Sequence, residues 1–236
     1  MQMRMAGWAG LLVLAAVPVA GLQAQQSVQE RVATLKRTLA ENAAAQRSYT
    51  WIETTELSLN GEVKETNSVS CQYVANEQKP QCTQIGEPPK PKKVRGPLRK
   101  KIAKDKINDL KAYMDSVKTL VGEYVPPVQE RITKAQQRGD VAVAPNPSNA
   151  TYKVTVSNYL QQGDALAVVV HQEDHHLATM AVSTWLNDPG AKVSLDVSFS
   201  TLATGVSFPL KKVLTASAKG VVVTITSSNF AKAIGQ

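Results

Sequence analysis

A chain of 236 residues has room for one sizeable domain or two small ones, and its apolar fraction of 43% is ordinary for a globular protein with a real core. The formal net charge of +8 favours anionic partners such as phospholipid, lipopolysaccharide or nucleic acid, but most of the excess is concentrated in one segment. Aromatic residues make up 5% of the chain, and none interleave with the lysines of that segment as a stacking platform requires, so nucleic-acid binding has little support.

Met1–Met5 carries one cation, Arg4, and Ala6–Ala20 is a run of small and apolar residues. Gly21-Leu22-Gln23-Ala24 then offers a small residue before the polar Gln25-Gln26. This is the order of a secretory signal peptide, residues 1–24, with cleavage expected after Ala24. The alternative, a membrane anchor, is disfavoured because the run is short for a bilayer span and has no stop-transfer flank. The mature chain, 25–236, is expected to be a soluble, monomeric, periplasmic or secreted single domain.

Ser27–Ala44 follows. Val28, Val32, Leu35 and Leu39 fall at helical intervals, and Ser27 with Glu30 reads as a capping box. Tyr49–Leu59 and Glu62–Tyr73 read as two strands joined by Asn60-Gly61, the strongest hairpin signal in the chain. Trp51, Leu57 and Leu59 share one face; Val63, Val69, Cys71 and Tyr73 share a face of the returning strand. Trp51 reads as core. Cys71 and Cys82 are the only cysteines. In an oxidising compartment they pair into a local disulfide across the polar Ala75–Gln81 turn. Two thiols make a poor zinc site, and the spacing is not that of a redox pair.

From Pro88 the composition changes. Residues 88–140 read as a basic linker and a helical insertion. Pro88–Pro97 is an exposed linker because prolines block a ladder and like charges repel. After Pro97 the residues Ala103, Ile107, Leu110, Met114, Val117 and Val121 mark one helical face. Pro126-Pro127 interrupts, and Val128–Arg138 is a second helical piece ending at Gly139. Two readings of the basic segment stay open. Lys92, Lys93, Arg95, Arg99, Lys100 and Lys101 form an anionic docking site for headgroups or an envelope partner, or they are a solvated run leading into a helix.

Asp140–Asn149 reads as a loop into a meander of strands: Tyr152–Tyr159, Ala165–His171, Leu177–Leu186, Val193–Phe199, one near Phe208–Leu214, and Val221–Phe230. Ala165–Val170 is apolar on both faces, as in a covered central strand. His171–His176 (HQEDHH) holds all three histidines of the chain. His171 and His175 are weak metal candidates; the competing reading is a solvated turn, and no metal is assigned. There is no GxSxG, HExxH or glycine-rich phosphate loop, so neither catalysis nor a cofactor is implied.

An exported chain with an opening helix, Arg47-Ser48-Tyr49-Thr50-Trp51, an NG hairpin, a helical insertion and a closing meander with Trp185-Leu186-Asn187-Asp188-Pro189-Gly190 resembles the LolA/LolB/RseB-like superfamily. The cysteine loop and the basic insertion depart from the carrier proteins of that group. The chain is also similar to uncharacterised exported bacterial proteins that share the YTW opening, the Tyr-Val-Pro-Pro break and the NDPG turn. The resemblance implies an α+β fold: a strongly curved, open antiparallel half-barrel with helices on its concave side. It also places Arg47 at the mouth of any cavity.

Such a sheet, capped by amphipathic helices, either buries a dry core or parts to admit an acyl chain. Trp51, Val168, Val170, Leu195, Val197, Val223 and Ile225 are the expected lining, with Met114 and Val117 on the lid. A non-catalytic carrier of a lipid or lipoprotein acyl chain is the first expectation. A structural or interaction module that docks through the basic segment, with peripheral membrane contact, is the second.

Overall fold

A computed structural model describes residues 20–74, 77, 79–86 and 97–233. For residues 20–27, 97–100 and 103 it describes only the backbone course. Most of the expected signal peptide lies outside the described residues, as does the linker 87–96 with Lys92, Lys93 and Arg95.

The chain runs α1 (Ala20–Gln46), β1 (Tyr49–Leu59), β2 (Glu62–Gln72), β3 (Gln81–Gln84), α2 (Pro97–Gly122), α3 (Gln129–Arg138), β4 (Val141–Asn146), β5 (Thr151–Ser157), β6 (Ala165–His171), β7 (Leu177–Trp185), β8 (Lys192–Thr201), β9 (Ser207–Ala216) and β10 (Val221–Lys232). The strands form one open, curved sheet in the order β3-β2-β1-β10-β9-β8-β7-β6-β5-β4, with every recorded pairing antiparallel. The expected meander runs from β4 to β10. It then joins the opening hairpin through β1 and β10, whose ends are far apart in sequence.

Register makes the concave face readable row by row. One row crosses the sheet as Thr55, Ile225, Lys212, Val197, Met180, Val168, Val154 and Val143. The next crosses as Leu57, Val223, Leu214, Leu195, Val182, Leu166, Val156 and Val141. Because side chains alternate along a strand, these residues share one face, and the helices pack on it. Val32 and Leu35 of α1 and Ile132 and Ala135 of α3 are buried against Tyr152, Val154, Val156, Leu166, Val168 and Val170. Val117 of α2 is buried against Val193, Ala216 and Val221.

Several expectations are corrected. The first helix begins at Ala20, so Ser27 lies inside it and is not its cap; from Leu22 to Gln26 there is no glycine or proline to stop it. Asp140–Asn149 is not all loop. Val141–Asn146 is the edge strand β4, where Pro145 is tolerated because only β5 pairs with it. Gln81–Gln84 forms β3 beside β2, which puts Cys71 directly opposite Cys82 and joins them in a disulfide with 4.1 Å between Cα atoms. A register shift between Leu57 and Ser58 sets Val63 opposite Ser58, so Val63 is not on the face of Val69 and Cys71 and is 56% exposed. β6 is covered on one face only, with Ala167 and Val169 half-buried on the other. Only the C-terminal half of α2 packs on the sheet; Ile102 and Ile107 are 48% and 64% exposed.

A buried polar node locks the helices to the meander. Asp164, 2% exposed, accepts the Tyr124 hydroxyl at 2.5 Å and the backbone N–H groups of Tyr159, Leu160 and Gln161 at 2.6, 3.0 and 2.8 Å. The Tyr159 hydroxyl in turn accepts the N–H of Val128, just ahead of α3. Burial, reinforced by the Asp164 carboxylate, pushes the Tyr124 hydroxyl well above the ordinary tyrosine range.

Candidate functional site

The covering helices do not fill the concave face evenly. Between the C-terminal part of α1, the Val125-Pro126-Pro127 break and strands β7–β9 lies a cavity of about 190 Å³, floored by Met180, Leu195, Val197 and Phe199 and roofed by Leu39 and Ala43. A second cavity, about 130 Å³, adjoins it over β9, β10 and β1, where Trp51, Phe208 and Phe230 meet Tyr73 and Leu202. Gln46, Pro209 and Lys212 line both, so the two form one apolar groove.

The groove has a built aromatic end. Phe208 and Phe230 have ring centroids 4.0 Å apart, Trp51 stacks on Phe230 at 6.0 Å, and Tyr73 lies 5.7 Å from Trp51. All three phenylalanines of the chain line the groove: Phe199 in one cavity, Phe208 and Phe230 in the other. Phe199 also packs against the edge of the core under α1 and α3, whereas Phe208 and Phe230 lie outside it. Such rings give a large apolar contact area with few torsions to freeze.

One ion pair stands on this floor. Lys212 Nζ lies 2.6 Å from Glu53 Oε1, and the Trp51 indole donates to the same oxygen at 3.1 Å. Both side chains are largely out of water, 25% and 17% exposed, so each charge depends on the other. The roof is fixed by polar clasps. Asn42 Nδ2 donates to the Ser207 carbonyl at 2.7 Å, the Ser207 N–H returns to Asn42 Oδ1 at 2.8 Å, and Gln46 Nε2 donates to the same carbonyl at 2.6 Å.

The expected site residues are divided. Trp51, Leu195 and Val197 line the groove. Val168 and Val170 are buried in the packed core beneath α1 and α3 and line neither cavity. Val117 is likewise core, with Met114 and Val223 packed beside it, and Ile225 is half-buried next to Lys212; none of the four lines the groove. Arg47 sits at one remove: its guanidinium lies 5.6 Å from the Tyr73 ring centre and donates to the Glu77 carbonyl at 3.4 Å. Partial burial raises the Tyr73 hydroxyl above its ordinary range, against the opposing charge of Arg47.

Of the docking candidates, Lys101 is exposed on α2, Arg99 and Lys100 are placed by backbone alone, and the rest lie outside the described residues. His171 is exposed at the end of β6, His175 takes a positive φ of 58° in the following turn, and His176 pairs with Asp174 at 3.0 Å. Among the described residues no group of three or more His, Cys, Asp or Glu side chains is placed to hold a metal ion.

Sequence reasoning missed Glu53, Lys212, Phe208, Pro209 and Phe230. A signal was present for two of them. Glu53 interrupts the inward series Trp51, Thr55, Leu57, Leu59, and Lys212 interrupts the inward face of β9; an inward acid and an inward base demand each other.

No family model matches the chain, and no curated protein matches it. Two solved structures align with it. A DUF1329 family protein from Desulfovibrio piger aligns over 89% of this chain and 94% of its own, with 8% identity and a TM-score of 0.44. A LolA superfamily protein from Nitrosomonas europaea aligns over 85% and 94%, with 7% identity and a TM-score of 0.39. Both are likenesses of overall chain course at single-figure identity.

Proposed function

We propose that this chain is an exported, non-catalytic carrier that takes an apolar ligand, the acyl chain of a lipid or lipoprotein, into the groove between the concave face of the sheet and α1. The observation that carries this reading is the concentration of the chain's phenylalanines in a groove that the helices leave open, while the rest of the same face is closely packed. Each methylene that leaves water for this lining gains about 0.8 kcal/mol, so a long chain gains more than a short one. The Gln46 amide and the Lys212–Glu53 pair stand where a polar group attached to such a chain could be met.

The disulfide fits an oxidising compartment. Among the described residues no helix is long and apolar enough to cross a membrane.

The test is displacement of a fluorescent fatty acid, with native mass spectrometry of the purified protein. A series of fatty acids should bind more tightly with chain length, and Val197→Trp, which fills the floor, should cut affinity at least tenfold. Absence of uptake by the wild-type protein, or equal binding by Val197→Trp, would sink the carrier reading.

A further inference from the structure

The floor of the groove carries charge where its neighbours carry none. In its row across the sheet Lys212 of β9 stands between Val197 of β8 and Ile225 of β10. Glu53 belongs to β1, on the other side of β10, and the two side chains meet at 2.6 Å across that strand. Among the described residues they are the only charged ones that line either cavity, one of each sign, so the lining as a whole is neutral.

The pair is not saturated. Of the three N–H groups of the Lys212 ammonium, Glu53 takes one, and no described residue accepts the others. Glu53 Oε1 accepts both that bond and the Trp51 indole, while Oε2 has no donor among the described residues. Lys212 lines both cavities and Glu53 one of them, so a chain lying along the groove passes the pair.

We propose, resting on the carrier reading above, that this pair makes the groove selective for acyl chains with an uncharged head, a carboxylic ester, over free fatty acids. An ester carbonyl accepts a spare N–H of Lys212 and adds no charge. A free fatty acid is a carboxylate at neutral pH. It brings a second negative charge to a lysine that Glu53 already neutralises, at a place largely out of water, where a carboxylate loses hydration and like charges are poorly screened. Arg47 does not offset this, since it is exposed over Tyr73 and lines neither cavity.

The experiment compares palmitate with monopalmitoylglycerol as displacers of a fluorescent fatty acid, with thermal melting to confirm that each variant is folded. The ester should bind the wild type more tightly. It is also the more apolar ligand, so the deciding quantity is how the ratio of the two affinities moves. Glu53→Gln keeps the shape of the side chain and an acceptor for Trp51, but leaves the lining with one net positive charge. The ratio should then move at least about tenfold towards palmitate. Glu53→Gln with Lys212→Met makes the lining neutral again and should return the ratio to near its wild-type value. A diacylated lipopeptide carries the same ester and should show the same shifts; the tighter of the two esters marks the source, lipoprotein or glycerolipid. A pair that only ties β1 to β9 would weaken all ligands alike. An unmoved ratio in Glu53→Gln, or palmitate bound as tightly as the ester by the wild type, would overturn the proposal and leave the carrier reading standing. Failure of every ligand to bind the wild type would remove the carrier reading and this inference with it.

Discussion

One face of one sheet is treated in two ways. Over β5 and β6 it is a dry core: Val154 and Val168 are 0–1% exposed beneath α1 and α3. From Met180 of β7 and Val197 of β8 the same row borders a groove lined with rings, and it continues across β9, β10 and β1 as Lys212, Ile225 and Thr55, half-buried. The backbone differs as well: at the groove β9 and β10 pair only as far as Lys211 and Thr226, and the register shifts between Thr50 and Ile52 and between Ser198 and Phe199. The inward positions differ too in what they carry and in how closely a helix sits on them. Valines that interlock with helix side chains leave no space. At the other end large rings and an ion pair border the space left beside α1. A single sheet thus supplies stability at one side and room at the other.

The packed half depends most on the node that holds the helices down. Asp164→Ala leaves the N–H groups of Tyr159, Leu160 and Gln161 without this acceptor and the Tyr124 hydroxyl with Thr184 as its remaining side-chain partner, and should cost about 3 kcal/mol or more. The denaturant midpoint reports it, and a loss under about 1 kcal/mol would mean that the node does not hold the packed half. The next effect is a direct contrast. Val168→Ala in the packed half should cost about 2 kcal/mol, from lost methyl groups and the cavity left behind. Val223→Ala, the same change on a half-buried position, should cost about half that or less. Equal losses in chemical denaturation would erase the distinction between the halves.

The smallest effect sharpens it by pH. The Tyr124 hydroxyl is raised above its unfolded range by burial and by Asp164. The unfolded chain therefore ionises this group first, and its contribution is whole below about pH 10 and is lost as pH rises above that. Tyr124→Phe should lower stability at neutral pH but flatten its fall in alkali. Identical alkaline slopes for the two proteins would show that another group governs that limb.

Much of this fold can be read in the sequence. Asn60-Gly61 and Gly139 stop their elements as their chemistry requires, with φ values of 51°, 82° and 80°. The strict alternation of Val193, Leu195 and Val197 with Ser194 and Asp196 sets β8 in register. What could not be read was the outcome of packing. Val168 and Leu195 look alike on paper and both are buried, yet Leu195 also borders the cavity beside α1 and Val168 does not. Short edge strands were equally hidden. Gln81–Gln84 has no apolar alternation, and its place beside β2 rests on the Cys71–Cys82 link.

A sheet that does not close has two free margins, and each is an invitation for another chain to add a strand. Here both are poor templates. One margin is β3, four exposed residues long and pinned to its neighbour by the disulfide. The other is β4, where Pro145 lacks an N–H to offer and Pro147 turns the chain away directly afterwards. The open architecture, which leaves space for a groove, thus comes with ends that discourage stacking into fibres.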